Sequence, residues 1–191
     1  MAWLIAGGAL LLLAAAAAAY VGLVTGSLPA DLGIGRRVRP LGPEAVDIAA
    51  PRELVFDVIA KPYLHRQTRA AAEKIIILER GADMVLAAHR TPVHGGRLTA
   101  TTIETVHFER PHAVRFRLVR GPVPHVAEQF TLTETDGVTR LAYDGKLGTD
   151  LWALGSWWGR VVARTWERTV AASLATIKAE AERRHRASKQ T

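Results

Sequence analysis

Few residues in this chain of 191 amino acids have both the type and the setting for chemistry, and the foremost is a glutamate. In "HVAEQFTLTE" (125–134), Val126, Phe130 and Leu132 alternate in one phase, and Glu128 shares it. A carboxylate set in an apolar row loses hydration, so its pKa rises and it can act as a general acid or base near neutral pH. The plainer alternative carries more weight from sequence alone: Glu128 lies near a strand end, exposed or paired with an arginine. Tyr143, in phase with Leu141, either offers its hydroxyl to a ligand carbonyl or packs with its oxygen at a rim, and packing is the simpler outcome.

Other chemistries find less support. His89 and His94 flank a proline in "HRTPVH", several other histidines fall in or beside turns, and no H-E-x-x-H occurs, so no metal is expected. No serine sits in a G-x-S-x-G elbow, and "GIGRR" (33–37) lacks both the preceding strand and the third glycine of a dinucleotide site. No cofactor is expected. The absence of cysteine rules out disulfides, thiolate nucleophiles and cysteine-held clusters. The net charge of +7 is scattered along the chain, with its densest groups at Arg36, Arg37 and Arg39 and in the tail, so nucleic acid is not an expected partner.

The elements that must position Glu128 and Tyr143 follow from periodicity. "EAVDIA" (44–49) alternates as a strand, Pro51 suits the first position of a helix, and Leu54, Val55, Val58 and Ile59 share one helical face. A second helical stretch is expected over 63–73. Strands follow at 74–80, 83–90, 97–109, 113–120, 125–134 and 138–147, separated by short turn sequences that favour an antiparallel meander. Val114, Phe116 and Leu118 oppose Arg115 and Arg117, the mark of a sheet with one wet face. From about 151 to 185, Leu154, Trp158, Val162, Trp166, Val170, Leu174, Ile177 and Ala181 form one apolar stripe of a long helix. That stripe needs a broad apolar cover, and the one-sided sheet supplies it.

The N-terminal region is of another kind. "WLIAGGALLLLAAAAAAYVGLV" (3–24) carries no charge, and a helix of that length spans roughly 30 Å, the thickness of a bilayer's hydrocarbon core. Trp3 and Tyr20 stand near its two ends, where amphipathic aromatics prefer headgroups. A cleaved signal peptide is the alternative, but no Lys or Arg precedes the apolar run. The positive flank "GRRVR" (35–39) follows the span, which places the globular part in the cytoplasm behind a single-pass anchor. The expected organisation is an anchor over 1–25, a linker over 26–43, a ligand-binding domain over 44–185 and a polar tail over 186–191.

This order of elements, with "VDIAAPRELVFDVIA" (46–60), "ERPHAVRFRLVRGP" (109–122) and "FTLTETDGVTRLAYDGKL" (130–147), resembles the SRPBCC superfamily of START and polyketide cyclase-like proteins. The resemblance covers about residues 44–185. It implies an α+β helix-grip fold, in which a curved antiparallel sheet of about seven strands wraps a long C-terminal helix, with an apolar cavity between them. It further implies binding of a hydrophobic small molecule such as a lipid, a quinone or a polyketide-like metabolite. Some members are cyclases or dehydratases and others assist partner proteins without catalysis. The superfamily has no universal catalytic motif, so no catalytic residue carries over, and a membrane anchor departs from most members.

The expected ligand wall is Phe116, Phe130 and Tyr143 from the sheet and Trp158, Val162 and Trp166 from the helix, with Glu128 as the polar group inside. A non-catalytic binding protein tethered to the membrane is the leading expectation. The alternatives are a cyclase or dehydratase using Glu128 or Tyr143 as acid/base, and an interaction module that binds a protein partner at the membrane. Trp152 and Trp157, beside Gly155 and Gly159, are expected at the entrance to the site, at a mobile helix start.

Overall fold

Alternation of β-branched and aromatic residues with charged ones produces a sheet that is buried on one side. The computed structural model describes residues 2–28, 31–64 and 73–190. Helix α1 (Ala2–Thr25) is followed by strand β1 (Arg37–Ile48) and helix α2 (Arg52–Leu64). Six further strands come next: β2 (Ile75–Arg80), β3 (Met84–Val93), β4 (Leu98–Glu109), β5 (Ala113–Arg120), β6 (His125–Thr135) and β7 (Val138–Thr149). Helix α3 (Trp152–Ser188) closes the chain. The seven strands form one curved antiparallel sheet in the order β1-β7-β6-β5-β4-β3-β2. Most of the helical stretch expected over 63–73 lies outside the described residues.

Strand β1 begins at Arg37 rather than at 44. Pro40, Gly42 and Pro43 hide its first half from a pattern search, and a register shift between Leu41 and Glu44 breaks the alternation. Proline is tolerated there because β1 is an edge strand. Leu41 is nevertheless buried, so part of the expected linker belongs to the sheet.

Helix α3 lies on the concave face and buries Val162, Val170, Leu174 and Ala181. Its far end is tied down where Glu182 accepts the Ala49 N–H at 3.2 Å. At its start Gly155 and Gly159 are buried, and a Cβ on Gly155 would stand 1.5 Å from the Asp150 carbonyl oxygen. The glycines thus serve close packing of helix against strand. Leu154 departs from the expected stripe. It is 66% exposed, because Gly155 and Gly159, not Leu154, are what the first turns of α3 turn toward the sheet.

Helix α1 is exposed along most of its length and meets the domain only at its end. Arg120, at the end of β5, donates to the carbonyl oxygens of Gly26 and Ser27, both at 2.9 Å. Gly26 adopts φ +73° and rests against the Thr101 carbonyl, which a Cβ would approach to 2.3 Å. Tyr20 sets its ring edge-on to Trp158, with centroids 6.0 Å apart.

Candidate functional site

Strand β6 turns Val126, Glu128, Phe130 and Leu132 toward the interior, as its alternation requires. Glu128 is flanked in register by Phe116 of β5 and Gly145 of β7. A Cβ on Gly145 would stand 2.8 Å from the Glu128 Cβ, so the bare backbone there makes room for the glutamate. The Tyr143 hydroxyl donates to Glu128 Oε2 at 2.6 Å. From the facing helix, the Trp166 indole N–H donates to the same oxygen, also at 2.6 Å.

Burial is the main force on this carboxyl and pushes its pKa up, the Glu104 charge adds to the rise, and the Tyr143 and Trp166 hydrogen bonds pull it back. The balance leaves it at about 7, so the acid and its anion coexist near neutrality. Because Oε2 already accepts two donors, the proton of the acid form belongs on Oε1, to which the described residues supply no hydrogen bond. Burial and the Glu128 charge push the Tyr143 phenol up, so it stays a neutral donor.

A second polar cluster shares the concave face. The buried Glu104 of β4 accepts the Thr102 hydroxyl at 2.6 Å and stands 3.0 Å from His89 Nδ1. His89 Nε2 lies 3.1 Å from the Tyr63 hydroxyl, which α2 brings down onto the sheet. Burial, then the Glu104 and Glu128 charges, hold Tyr63 as a neutral phenol. Nδ1 thus faces Glu104 and Nε2 faces the phenol, so the imidazole bridges the two. The result is a carboxylate–imidazole–phenol chain.

Aromatic rings connect the two clusters. His89 and Phe116 have centroids 6.3 Å apart, Phe116 and Phe130 5.9 Å, and Phe130 and Tyr143 5.4 Å. Tyr63 adds an edge contact to Phe116 at 6.1 Å. An apolar row therefore carries a polar group at each end.

Five of the seven expected wall residues, Phe116, Glu128, Phe130, Tyr143 and Trp166, meet in this arrangement. The plainer reading of Glu128 does not hold: its partners are a phenol and an indole rather than an arginine. Val162 is buried on the same face of α3. Trp158 is turned toward the β5–β6 connection, where its indole N–H donates to the Pro122 carbonyl at 2.7 Å beside Tyr20. Tyr63, His89, Thr102, Glu104 and Gly145 were not anticipated. A signal existed for Glu104, since Thr102 and Glu104 share the phase of Val106 and Phe108, as Glu128 shares that of Phe130.

The architecture recurs among solved structures. The Zhui aromatase/cyclase of Streptomyces sp. R1128 superposes with a TM-score of 0.66 at 21% identity, over 78% of this chain and 96% of that one. This chain has the helix-grip fold. A START superfamily protein from Mycobacterium smegmatis shares the helix grip at TM-score 0.53 and 14% identity, covering 73% of this chain and 97% of that one. Norcoclaurine synthase from Thalictrum flavum, solved with dopamine and hydroxybenzaldehyde, does so at 0.58 and 10%, covering 79% and 90%. No family model and no curated protein sequence matches the chain. At these identities the likeness is one of fold.

Proposed function

We propose that the helix-grip domain holds an apolar small molecule bearing a carbonyl or hydroxyl oxygen, seated between the concave sheet face and α3. The observation that carries this reading is the Glu128 carboxyl, which has a raised pKa, is fixed by Tyr143 and Trp166 through one oxygen, and stands beside the Phe116–Phe130 row. A few convergent polar groups in an apolar, aromatic setting are what a small-molecule site requires. As an acid, Glu128 donates to a carbonyl; as an anion, it accepts from a hydroxyl. A lipid, a quinone or a polyketide-like metabolite meets these terms, and the aromatase/cyclase and START folds nearby are consistent with that class.

Helix α1 serves as a single-pass tether in this reading, with the domain on the cytoplasmic side by the charge of Arg36, Arg37 and Arg39. Tethering keeps the site at high local concentration next to a reservoir of apolar molecules. Mass spectrometry of an organic extract of the purified full chain, with 2-naphthol titration, tests the reading. A stoichiometric apolar compound or saturable naphthol binding is expected, and neither would occur if the interior were only packing.

A second reading is favoured by the position of the Glu128 pKa near 7, where an acid/base catalyst is most effective. In a cyclase or dehydratase, Glu128 would take a proton next to a ligand carbonyl through Oε1 while the Tyr143 phenol and the Trp166 indole hold Oε2. Glu128→Gln then keeps binding but slows proton exchange at a bound diketone by ~10²-fold or more. Equal exchange in the variant would leave binding as the function.

A further inference from the structure

The segment before β1 and the first turns of α3 display a group of apolar side chains. Leu32, Ile34, Trp152, Leu154 and Trp157 are each more than half exposed. They are not on a loose segment. The Asp150 carboxylate, 3% exposed, accepts the N–H groups of Leu32 and Gly33 at 2.7 Å each and the Arg36 guanidinium at 2.7 Å. Two backbone bonds, Leu151 N–H to Ile34 O at 2.8 Å and Trp152 N–H to Gly35 O at 3.0 Å, fasten the same loop to the start of α3. The Trp152 ring lies on Gly35, where a Cβ would come within 2.4 Å of it.

Leu151 and Trp152 are held at φ 66° and 46°, left-handed backbone that side chains of this size rarely adopt. The fold therefore maintains strain and a buried carboxylate clasp in order to present bulky apolar groups to solvent. Beside them, Arg37, Arg39 and Arg160 line a groove of about 380 Å³ between β1 and α3. Helix α1 joins the body next door: Tyr20 touches Trp158, the immediate neighbour of Trp157.

We propose that this rim is a bilayer-docking surface: Trp152, Leu154, Trp157, Leu32 and Ile34 enter the headgroup and upper acyl region while the groove arginines meet anionic lipid phosphates. The inference rests on the reading of α1 as a membrane tether and adds to it the orientation of the domain. Indoles favour the interfacial region, and an apolar rim flanked by arginine matches the chemistry of an anionic leaflet. Docked in this way, the start of α3 and the β5–β6 connection face the lipid, so an apolar ligand passes between bilayer and interior without crossing water.

The test uses the full chain in vesicles of phosphatidylcholine and phosphatidylglycerol whose acyl chains carry bromine, which quenches indoles that reach the lipid. In a Trp3→Phe background, emission is expected to be quenched, and adding Trp152→Phe and Trp157→Phe is expected to cut the quenched fraction about twofold or more. Both replaced rings are exposed, so the substitutions spare the core. Equal quenching with and without the double substitution overturns the docking proposal, as does protection of both indoles from bromolipid and from aqueous iodide, which would assign the rim to a protein surface such as a second copy. In the unsubstituted chain, absence of vesicle association overturns the tether reading and the proposal together. Association with Trp3 quenched but Trp152 and Trp157 dark to bromine overturns the proposal alone.

Discussion

One oxygen of Glu128 joins the sheet to the helix: Oε2 accepts the Tyr143 hydroxyl from β7 and the Trp166 indole N–H from α3, each at 2.6 Å. The bonds favour the anion and the burial opposes it, which is why this carboxyl stands ready to change charge near neutrality. The folded chain holds the Glu128 proton more tightly than the unfolded chain does.

Stability should therefore depend on pH in a set direction. With the folded pKa at about 7 against an ordinary 4.5, the contribution is fully present below pH 4.5 and is lost as pH rises through 7. Urea unfolding in detergent, compared near pH 5 and pH 8, is expected to show a decline on the order of 1–3 kcal/mol that Glu128→Gln flattens.

Tyr143→Phe keeps the ring and removes one donor to the anion. The Glu128 pKa should then rise further, read from its carboxyl carbon by NMR titration, and stability should fall by about 1 kcal/mol. An unchanged titration would mean that the phenol does not hold the carboxylate.

The two glycines of α3 should respond differently to alanine, although in an ordinary helix either change would gain about 1 kcal/mol. At Gly155 the new Cβ meets the Asp150 carbonyl oxygen at 1.5 Å, so a loss of about 2 kcal/mol or more is expected. At Gly159 the nearest atom is the Thr149 methyl at 3.1 Å, and the helix gain should roughly cancel the crowding. Thermal unfolding of the two variants checks the order.

The Asp150 clasp gives an acid-side signature. Arg36 and the Leu32 and Gly33 N–H groups hold this carboxyl at about 2, so its contribution is present above its ordinary pKa of 3.8 and is lost as pH falls through 2. Asp150→Asn should speed amide exchange at Leu32 and Gly33 at neutral pH while leaving β6 and β7 protected.

Most of the sheet was legible because one wet face makes the strands alternate, and the same alternation placed Glu128 inside. The first half of β1 was not legible, since Pro40, Gly42 and Pro43 break the pattern where an edge strand tolerates them. Helical period put Trp166 and Val162 on the sheet-facing side but could not show that Gly155 and Gly159, rather than Leu154, are buried in the first turns of α3. The cluster of Tyr63, His89 and Glu104 joins α2, β3 and β4. Only tertiary packing brings those three together, so beyond the inward phase of Glu104 in β4 the sequence carried no sign of it.

The proposed ligand meets Glu128 between the sheet and α3, beside the Trp166 indole. The direct measurement is the Trp166 indole N–H resonance of the full chain in detergent during titration with 2-naphthol. Saturable displacement of that resonance, with affinity reduced about tenfold in Glu128→Leu, is the expected result, since a lost charge-assisted hydrogen bond is worth ~1.5–3 kcal/mol. Saturation that leaves the Trp166 resonance unmoved, or that is equal in the two proteins, would contradict it.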